Sequence, residues 1–306
     1  MRNAVWLLLA AAFGPLAGCA DPNAEYLMEE RKAKGLVVIL PGIEGESELN
    51  HNIRRGLVDA GVPCALPIYP WGRPIPIAGI LINQMDFIGN RLAGIGIART
   101  IASYQDAHPH SPVYVIGHSG GGGVAVFTAE ALADMEGDHR IEGLVLLSAS
   151  ISGDYDLTKA MGRCRQGIVN FYNRGDVAML AIGTTLAGNV DGGRSPSAGR
   201  AGFIKPSDSI MEKRRDVFSK LFQVELTEQM HGGDDPHAST TRPSFVSRYV
   251  APWVVASSWP AGSAEVFAAP NNTPTTPGGK TAGAPVRSEP GRTRPTCPKA
   301  LASTGR

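Results

Sequence analysis

One stretch of the sequence constrains the fold more than any other: an apolar run from Pro112 that ends in the letters GHSGGGG and leads into helix-forming residues. The run PVYVIG is typical of a strand buried on both faces. The glycines after it predict a very tight turn, because residues without a side chain let a strand and a helix approach closely. Gly122 to Met135 then predicts a helix. We therefore expect a strand–turn–helix unit centred on Ser119.

Strands and helices alternate on both sides of this unit. Apolar runs predict six strands, at 36–40, 62–69, 112–117, 141–148, 168–173 and 221–226. Helices are predicted after the N-cap Ser47, within 81–107, from a capping box at Ser209, and over 242–255. Pro63 and Pro67 mark the second strand as irregular or as an edge. The alternation predicts an α/β fold with a doubly wound, mostly parallel sheet of about six strands and helices on both faces. Functional residues in such sheets follow the carboxyl ends of the strands.

Residues 117–121 match the pattern G-x-S-x-G in the strand–turn–helix setting that this motif requires. The turn lifts the serine hydroxyl above the sheet, and the helix N-terminus behind it favours developing negative charge. A glycine-rich turn before a helix is also typical of phosphate sites. However, no P-loop lysine and no acidic ribose partner accompanies this one. Ser119 is therefore predicted to be a nucleophile, and His118 to be a packing residue of the turn.

On these residues the chain resembles the α/β-hydrolase superfamily, in particular its serine esterases and lipases. The resemblance covers about residues 35–256 and is sharpest at GHSGGGG. It implies the superfamily's core from its third strand to its eighth, a Ser–Asp–His triad in that chain order, and neither a metal nor an organic cofactor. It also implies an oxyanion hole made by the backbone N–H groups of Gly120 and of Ile43, which lies in the loop after the first strand.

The acid and the base of such a triad each have more than one candidate. Asp176, just past the fifth strand, is the first choice for the acid, and its rivals are Asp154, Asp156 and Asp191. His237, ahead of the last helix, is the first choice for the base, and His231 is the second. Asp234 and Asp235 are expected to orient the loop that carries these histidines, since two adjacent carboxylates are a weak metal-ligand set. In the oxyanion loop, Glu44 is expected to face water or to bind a substrate amine.

The two ends of the sequence differ from its middle. Residues 1–18 combine Arg2 with a short apolar stretch and small residues, which is typical of a secretory signal peptide. The letters LAGC at 16–19 resemble a bacterial lipobox, which implies lipidation of Cys19 and an exported protein anchored to a membrane of the cell envelope. Residues 19–34 are then a linker and 35–260 the hydrolase domain. Residues 261–306 are rich in Pro, Gly and Thr, which predicts a disordered tail.

Composition narrows the range of partners. The 29 Lys and Arg residues nearly balance the 28 Asp and Glu residues, which argues against a nucleic-acid-binding protein. Four cysteines are too few for a disulfide scaffold or a Cys-rich zinc site. Cys64 and Cys164 have two interpretations, a disulfide permitted by export or two buried thiols. The oligomeric state does not follow from the sequence.

Taken together, these patterns predict a lipid-anchored serine hydrolase that cleaves a carboxylic ester or related acyl bond through an acyl-enzyme. The expected substrate is a small-molecule or lipid acyl compound. Tyr69 to Trp71, at the end of the second strand, either line the acyl site or simply pack. The alternative is a non-catalytic envelope lipoprotein that uses the same fold as a binding module.

Overall fold

At the centre of the molecule is a parallel sheet of five strands that lie side by side in chain order. The structure is a computed structural model that describes residues 23–72, 83–176, 188–204, 218–233 and 235–260. The strands are β1 (Leu36–Leu40), β2 (Val113–His118), β3 (Ile141–Leu147), β4 (Cys164–Tyr172) and β5 (Leu221–Glu225). Each matches a run that the sequence predicts, and all neighbours pair in parallel.

Both faces of the sheet are buried, as continuous apolar strands require. Successive side chains of a strand point to opposite faces. Accordingly, Val38 and Leu40 of β1 belong to one apolar core, whereas Val37 and Ile39 belong to the other. Helices cover both cores, so the predicted α/β-hydrolase type of fold, with its doubly wound parallel sheet, is confirmed.

The second predicted strand, residues 62–69, is not a regular member of the sheet. It runs parallel to β1 and pairs with it only through isolated bridges, which join Leu36 to Ala65 and Ile39 to Ile68. Pro63 and Pro67 have no backbone N–H to donate, and a proline-containing segment is tolerated mainly at a sheet edge. The sheet therefore has five regular strands rather than six, and the segment is the irregular edge that its prolines predict.

Helices precede, connect and follow the strands, and ten α-helices have both ends within the described residues. They are α1 (Glu29–Lys32), α2 (Glu48–Asp59), α3 (Phe87–Ala107), α4 (Gly120–Ala133), α5 (Thr158–Met161), α6 (Ala198–Ala201), α7 (Glu228–His231), α8 (Pro236–Ser239), α9 (Pro243–Phe245) and α10 (Ala251–Val255). Ser47 caps α2 in a capping box with Asn50, as its position predicts. The last predicted helix, 242–255, is helical from Pro243 to Val255, as α9, a π-helical turn at Val246–Val250 and α10. Pro252 explains part of this change in hydrogen bonding, because proline cannot donate a helix hydrogen bond. No helix of the described residues is long and apolar enough to cross a membrane.

The N-terminal segment that was predicted to be a linker, 19–34, is partly built into the domain. A 3-10 turn at Ala24–Tyr26 and helix α1 lie within it. The Arg31 guanidinium donates to the backbone carbonyls of Val62 and Cys64, at 3.3 and 2.8 Å. These bonds tie the segment to the irregular edge beside β1, where backbone acceptors are free. The predicted signal peptide, Cys19, the capping box at Ser209 and the predicted tail lie outside the described residues.

Cys64 and Cys164 are both free, buried thiols. Cys64 lies in the apolar core on one face of the sheet, and Cys164 lies in the core on the other. The disulfide interpretation is therefore wrong, because the sheet separates the two sulfur atoms. Burial raises the pKa of the Cys164 thiol to about 12.

Two glycines on α3 give a matched test of how closely this helix packs on α4. A Cβ at Gly94 would lie 2.8 Å from the Cβ of Phe127, whereas a Cβ at Gly96 would meet only the Tyr69 hydroxyl, at 3.9 Å. Gly94→Ala should lower the free energy of unfolding by about 1–3 kcal/mol, because overpacking forces the helices apart. Gly96→Ala should raise it by roughly 0.5–1 kcal/mol, because alanine is the better helix former. Urea denaturation followed by circular dichroism measures both. Equal effects of the two substitutions would contradict the close approach of α3 and α4.

Candidate active site

Ser119 occupies the turn between β2 and α4 in a conformation that non-glycine residues rarely adopt. Its φ is 52° and its ψ is −121°. Neighbouring strand ends hold it there: its N–H donates to the Leu147 carbonyl at 2.9 Å, and its carbonyl accepts from the Ser150 N–H at 2.8 Å. Such strain persists only where the surroundings over-determine it. The predicted turn thus lies at the carboxyl end of the sheet, where active sites of this fold class are found.

The glycine two residues after the serine is required by close backbone contact. A Cβ at Gly121 would lie 2.2 Å from the carbonyl oxygen of Pro41 and 2.4 Å from that of Leu40. No side chain fits in this space without moving the backbone of the loop after β1. The spacing of the motif therefore reflects how tightly α4 starts against that loop.

Three residues from distant parts of the chain form one hydrogen-bonded series. The Nε2 atom of His237 lies 3.1 Å from the Ser119 hydroxyl oxygen, and its Nδ1 atom lies 2.8 Å from Oδ2 of Asp176. Asp176 follows β4 and is fully buried, while His237 lies on α8 and is 7% exposed. The structure thus brings together the first-choice nucleophile, acid and base, in the arrangement that the triad chemistry requires.

The rival acids are hydrogen-bonded elsewhere, and the rival base has no hydrogen bond to this series in the described structure. Asp154 accepts a hydrogen bond from the Ser195 hydroxyl at 2.5 Å, and Asp191 accepts from the Ser152 N–H at 3.0 Å. Asp156 accepts from the Thr158 N–H at 2.9 Å, which caps the start of α5. His231 ends α7, and its carbonyl accepts from Arg242. None of these four side chains has a hydrogen bond to Ser119, His237 or Asp176 among those that the structure describes.

Acidic neighbours raise the pKa of His237. Its burial lowers the imidazole pKa, but the hydrogen bond and charge of Asp176, with the charges of Asp235 and Glu44, outweigh burial and raise it above 6.5. Asp235 also accepts from the His237 N–H at 3.1 Å and so caps α8, which is the loop-orienting role expected for it. Glu44 is exposed. The carboxylates therefore make this imidazole more basic than a free histidine side chain.

His118 lies beneath His237 as a neutral side chain. Complete burial, together with the neighbouring charge of His237, lowers its pKa to about 3. Its Nε2 atom lies 3.3 Å from the carbonyl oxygen of His237, a contact that requires the proton to be on Nε2. Thr240 also donates to this carbonyl, from its hydroxyl at 3.1 Å. His118 therefore packs under the turn, as predicted, and also supports the backbone of the histidine.

The two predicted oxyanion residues lie side by side. A Cβ at Gly120 would be 2.6 Å from Cγ2 of Ile43 and 3.2 Å from the indole of Trp71. The Gly120 N–H is at the N-terminus of α4, a 14-residue helix whose dipole favours negative charge there. Two backbone donors near a serine hydroxyl are the elements of an oxyanion hole.

Sequence reasoning missed Thr240 and Asn83, and it left the role of Trp71 open. Asn83 donates to the Ile43 carbonyl at 3.1 Å, and Trp71 donates from Nε1 to the Pro41 carbonyl at 2.7 Å. Trp71 had one usable signal, its place at the carboxyl end of the second predicted strand. The other two carry no motif, because any donor side chain can bond a backbone carbonyl. No group of three or more metal-ligating side chains occurs among the described residues.

Comparison with known proteins places this site in context. Residues 82–182, which include Ser119 and Asp176, match the family described as Lipase (class 3). Similar solved structures include lipase B of Aspergillus fumigatus, with 12% identity and a TM-score of 0.48, over 78% of this chain and 56% of that chain. Esterase PE8 has 12% identity and a TM-score of 0.38, over 63% of this chain and 82% of that chain. The NocB thioesterase domain in complex with a fluorophosphonate nocardicin G analog has 16% identity and a TM-score of 0.37, over 72% of this chain and 97% of that chain.

The chain spans little more than half the length of the lipase B structure. No curated protein sequence matches the chain. The sheet topology and the hydrogen bonds of the site therefore carry the structural conclusions, and the class 3 lipase match agrees with the predicted serine hydrolase.

The raised pKa of His237 gives a titration that can be measured by NMR. The ring should titrate above 6.5, and Asp176→Asn should lower its pKa, because the largest raising partner is removed. A raised folded-state pKa means that this group stabilises the native state below its unfolded pKa, and that the contribution is lost as the pH rises through the folded value. The Asp154→Asn variant should titrate like the parent. A His237 pKa that does not respond to Asp176→Asn would contradict the hydrogen-bonded pair.

Proposed function

We propose that this chain is a serine hydrolase that cleaves a carboxylic ester or a related acyl bond. The observation that carries the proposal is the hydrogen-bonded series from Asp176 through His237 to the hydroxyl of Ser119. The strained turn at Ser119 supports it, and so does the class 3 lipase match over residues 82–182. A binding module that did not react with its ligand would need neither the strained turn at Ser119 nor the hydrogen-bonded series that ends on its hydroxyl.

The first half of the proposed reaction acylates the serine. The Ser119 oxygen attacks the carbonyl carbon of the substrate while His237 Nε2 takes the hydroxyl proton. Asp176 holds Nδ1–H and stabilises the imidazolium that forms. The carbonyl oxygen becomes an oxyanion and accepts hydrogen bonds from the N–H groups of Ile43 and Gly120. Collapse of this intermediate expels the alcohol or thiol, which receives the proton from His237.

The second half returns the enzyme to its starting state. His237 takes a proton from water, and the resulting hydroxide oxygen attacks the acyl carbon. A second oxyanion forms in the same hole. It collapses with cleavage of the bond to Ser119, whose oxygen regains the proton from His237. The products are one carboxylic acid and one alcohol or thiol, so that water is the only co-reactant.

The proposed substrate is an acyl ester of a small molecule or a lipid. The family match supports this class, because it is to lipases. The charges around His237 favour a neutral acyl group, since Asp176, Asp235 and Glu44 are all acidic and would repel an anionic one.

Labelling and turnover together test the proposed activity. We expect a fluorescent fluorophosphonate to label the parent and not Ser119→Ala, and p-nitrophenyl butyrate to be hydrolysed by the parent. His237→Gln should lower kcat by about 10³-fold or more, because it removes the proton acceptor. Asp176→Asn should lower kcat by up to about 10⁴-fold, because it removes the residue that orients the acceptor. His231→Gln and Asp154→Asn are the matched controls and should retain the parent's rate. A folded parent that is neither labelled nor active would favour the binding-module alternative.

We also propose that Cys19 is lipidated and anchors the exported protein to a membrane of the cell envelope. The support is the lipobox-like sequence LAGC that follows a short apolar stretch. Two or three acyl chains on one residue would give stable anchoring, whereas a single chain would not.

Metabolic labelling tests this anchor. Full-length protein expressed in a bacterium and fed an alkyne-tagged fatty acid should carry the label and enter the detergent phase of a Triton X-114 separation. The Cys19→Ser variant should lose both properties, while Cys297→Ser should keep them. Label that persists in Cys19→Ser would show that lipidation, if present, is elsewhere.

A further inference from the structure

In the loop after β1, side chains hydrogen-bond to the peptides on either side of the proposed oxyanion donor. The carbonyl of Pro41 accepts from the indole Nε1 of Trp71 at 2.7 Å. The carbonyl of Ile43 accepts from the side-chain amide of Asn83 at 3.1 Å. The peptide between them contains the N–H of Ile43. Both side-chain donors are buried, with Trp71 at 6% exposure and Asn83 at 4%.

The peptide that carries this N–H is oriented by its own carbonyl. The Gly42 carbonyl accepts from the Gly45 N–H at 3.1 Å, which closes a tight turn. In a planar trans peptide the N–H points away from the C=O. The Ile43 N–H therefore points away from the interior of that turn. Three consecutive carbonyls of the loop are thus bonded, and this N–H has no protein acceptor among the described residues.

Trp71 contacts both halves of the hole. Its indole nitrogen bonds the loop that carries Ile43, and its ring lies against Gly120, where a Cβ would be 3.2 Å from Cζ2. Movement of the ring would therefore disturb the spacing between the two donors. Asn83 is held in turn by Asn90, whose side-chain amide donates to the Asn83 carbonyl at 3.1 Å. Asn90 also donates to the Val190 carbonyl, which ties this group to the segment beside Ser150.

We propose that Trp71 and Asn83 are positioning residues that fix the Ile43 N–H toward the oxyanion. This inference rests on the proposed hydrolase function. Neither side chain needs to touch the substrate. They act by keeping the peptide of Ile43 from rotating when charge develops on the carbonyl oxygen. A donor that is already oriented stabilises the oxyanion without having to reorganise at the moment of reaction. This preorganisation is the main source of the stabilisation that an oxyanion hole provides.

The test removes each donor and keeps the size of its side chain. Trp71→Phe deletes the indole N–H and leaves an aromatic ring on Gly120, and Asn83→Asp deletes the amide donor. Loss of a whole oxyanion donor costs about 10²–10³-fold in kcat. A displaced donor should therefore cost about 10–100-fold in kcat for p-nitrophenyl butyrate, with KM changed by less than about twofold. Affinity for an alkyl boronic acid, whose tetrahedral adduct on Ser119 presents an oxygen to the hole, should fall by the same factor as kcat.

Trp259→Phe is the matched control. Its indole nitrogen also donates to a backbone carbonyl, that of Trp253, at 2.7 Å, and it is also buried. Trp259 packs in the core around β5, away from the Ser119 turn. This variant should lose thermal stability and keep the parent's kcat and boronate affinity. The pH–rate profile of Trp71→Phe should keep the parent's pKa, because the His237 pair is untouched.

The outcomes separate this inference from the proposed function. An active parent whose Trp71→Phe and Asn83→Asp variants keep kcat and boronate affinity overturns the inference alone. The inference is also overturned if activity falls in step with the melting temperature in all three variants, Trp259→Phe included. A folded parent without hydrolysis or fluorophosphonate labelling overturns the proposed function and this inference with it. If Trp71→Phe does not fold, Asn83→Asp decides by the same criteria.

Discussion

The positive φ of Ser119 is the constraint on which the other parts of the site depend. A non-glycine residue in such a conformation costs about 1–3 kcal/mol, and isolated turns do not keep it. Here the end of β3 holds it through the Leu147 carbonyl and the Ser150 N–H. The two strands are locked by fully buried apolar side chains on both faces of the sheet. The stability of the core is thus what keeps one hydroxyl pointing toward His237.

The position of His237 likewise depends on the residues that hydrogen-bond to it. Asp235 accepts from its N–H, His118 and Thr240 contact its carbonyl, and Asp176 accepts from its ring. Its backbone and its side chain are therefore held by separate bonds, and the ring cannot turn without breaking its bonds to Asp176 and Ser119. This matters because a displacement of about 1 Å at a reacting group is enough to slow catalysis about 10²-fold. His118 can take part because it stays neutral: with a pKa of about 3, it adds no second positive charge beside His237.

Sequence patterns predicted the parts of this molecule that depend on local chemistry. Continuous apolar runs identified β1 to β5, because strands buried on both faces need them, and chain order led to Asp176 and His237. The departures from regular structure at 62–69 and 242–255 both involve prolines, whose missing N–H interrupts the hydrogen bonding that the apolar pattern alone favours. Asp154 and Asp176 both follow strands, so only tertiary contacts separate them: Asp154 bonds Ser195. The roles of Trp71 and Asn83 depend on carbonyls 30 and 40 residues away in the chain, a relation that no local pattern records.

The charge distribution explains why the backbone donors carry so much of the proposed chemistry. Every charged group that raises the pKa of His237 is a carboxylate: Asp176, Asp235 and Glu44. These groups stabilise the imidazolium that forms when the serine gives up its proton. They also repel the oxyanion that forms at the same moment, and Glu44 belongs to the oxyanion loop itself. The groups that stabilise the oxyanion are then the imidazolium, the N-terminus of α4 and the N–H groups of Ile43 and Gly120. The N-terminus of α4 and the Gly120 N–H come with the fold of the turn, whereas the Ile43 N–H depends on the orientation of one peptide. In the proposed mechanism, that peptide is the point at which two side chains outside the triad, Trp71 and Asn83, act on the oxyanion hole.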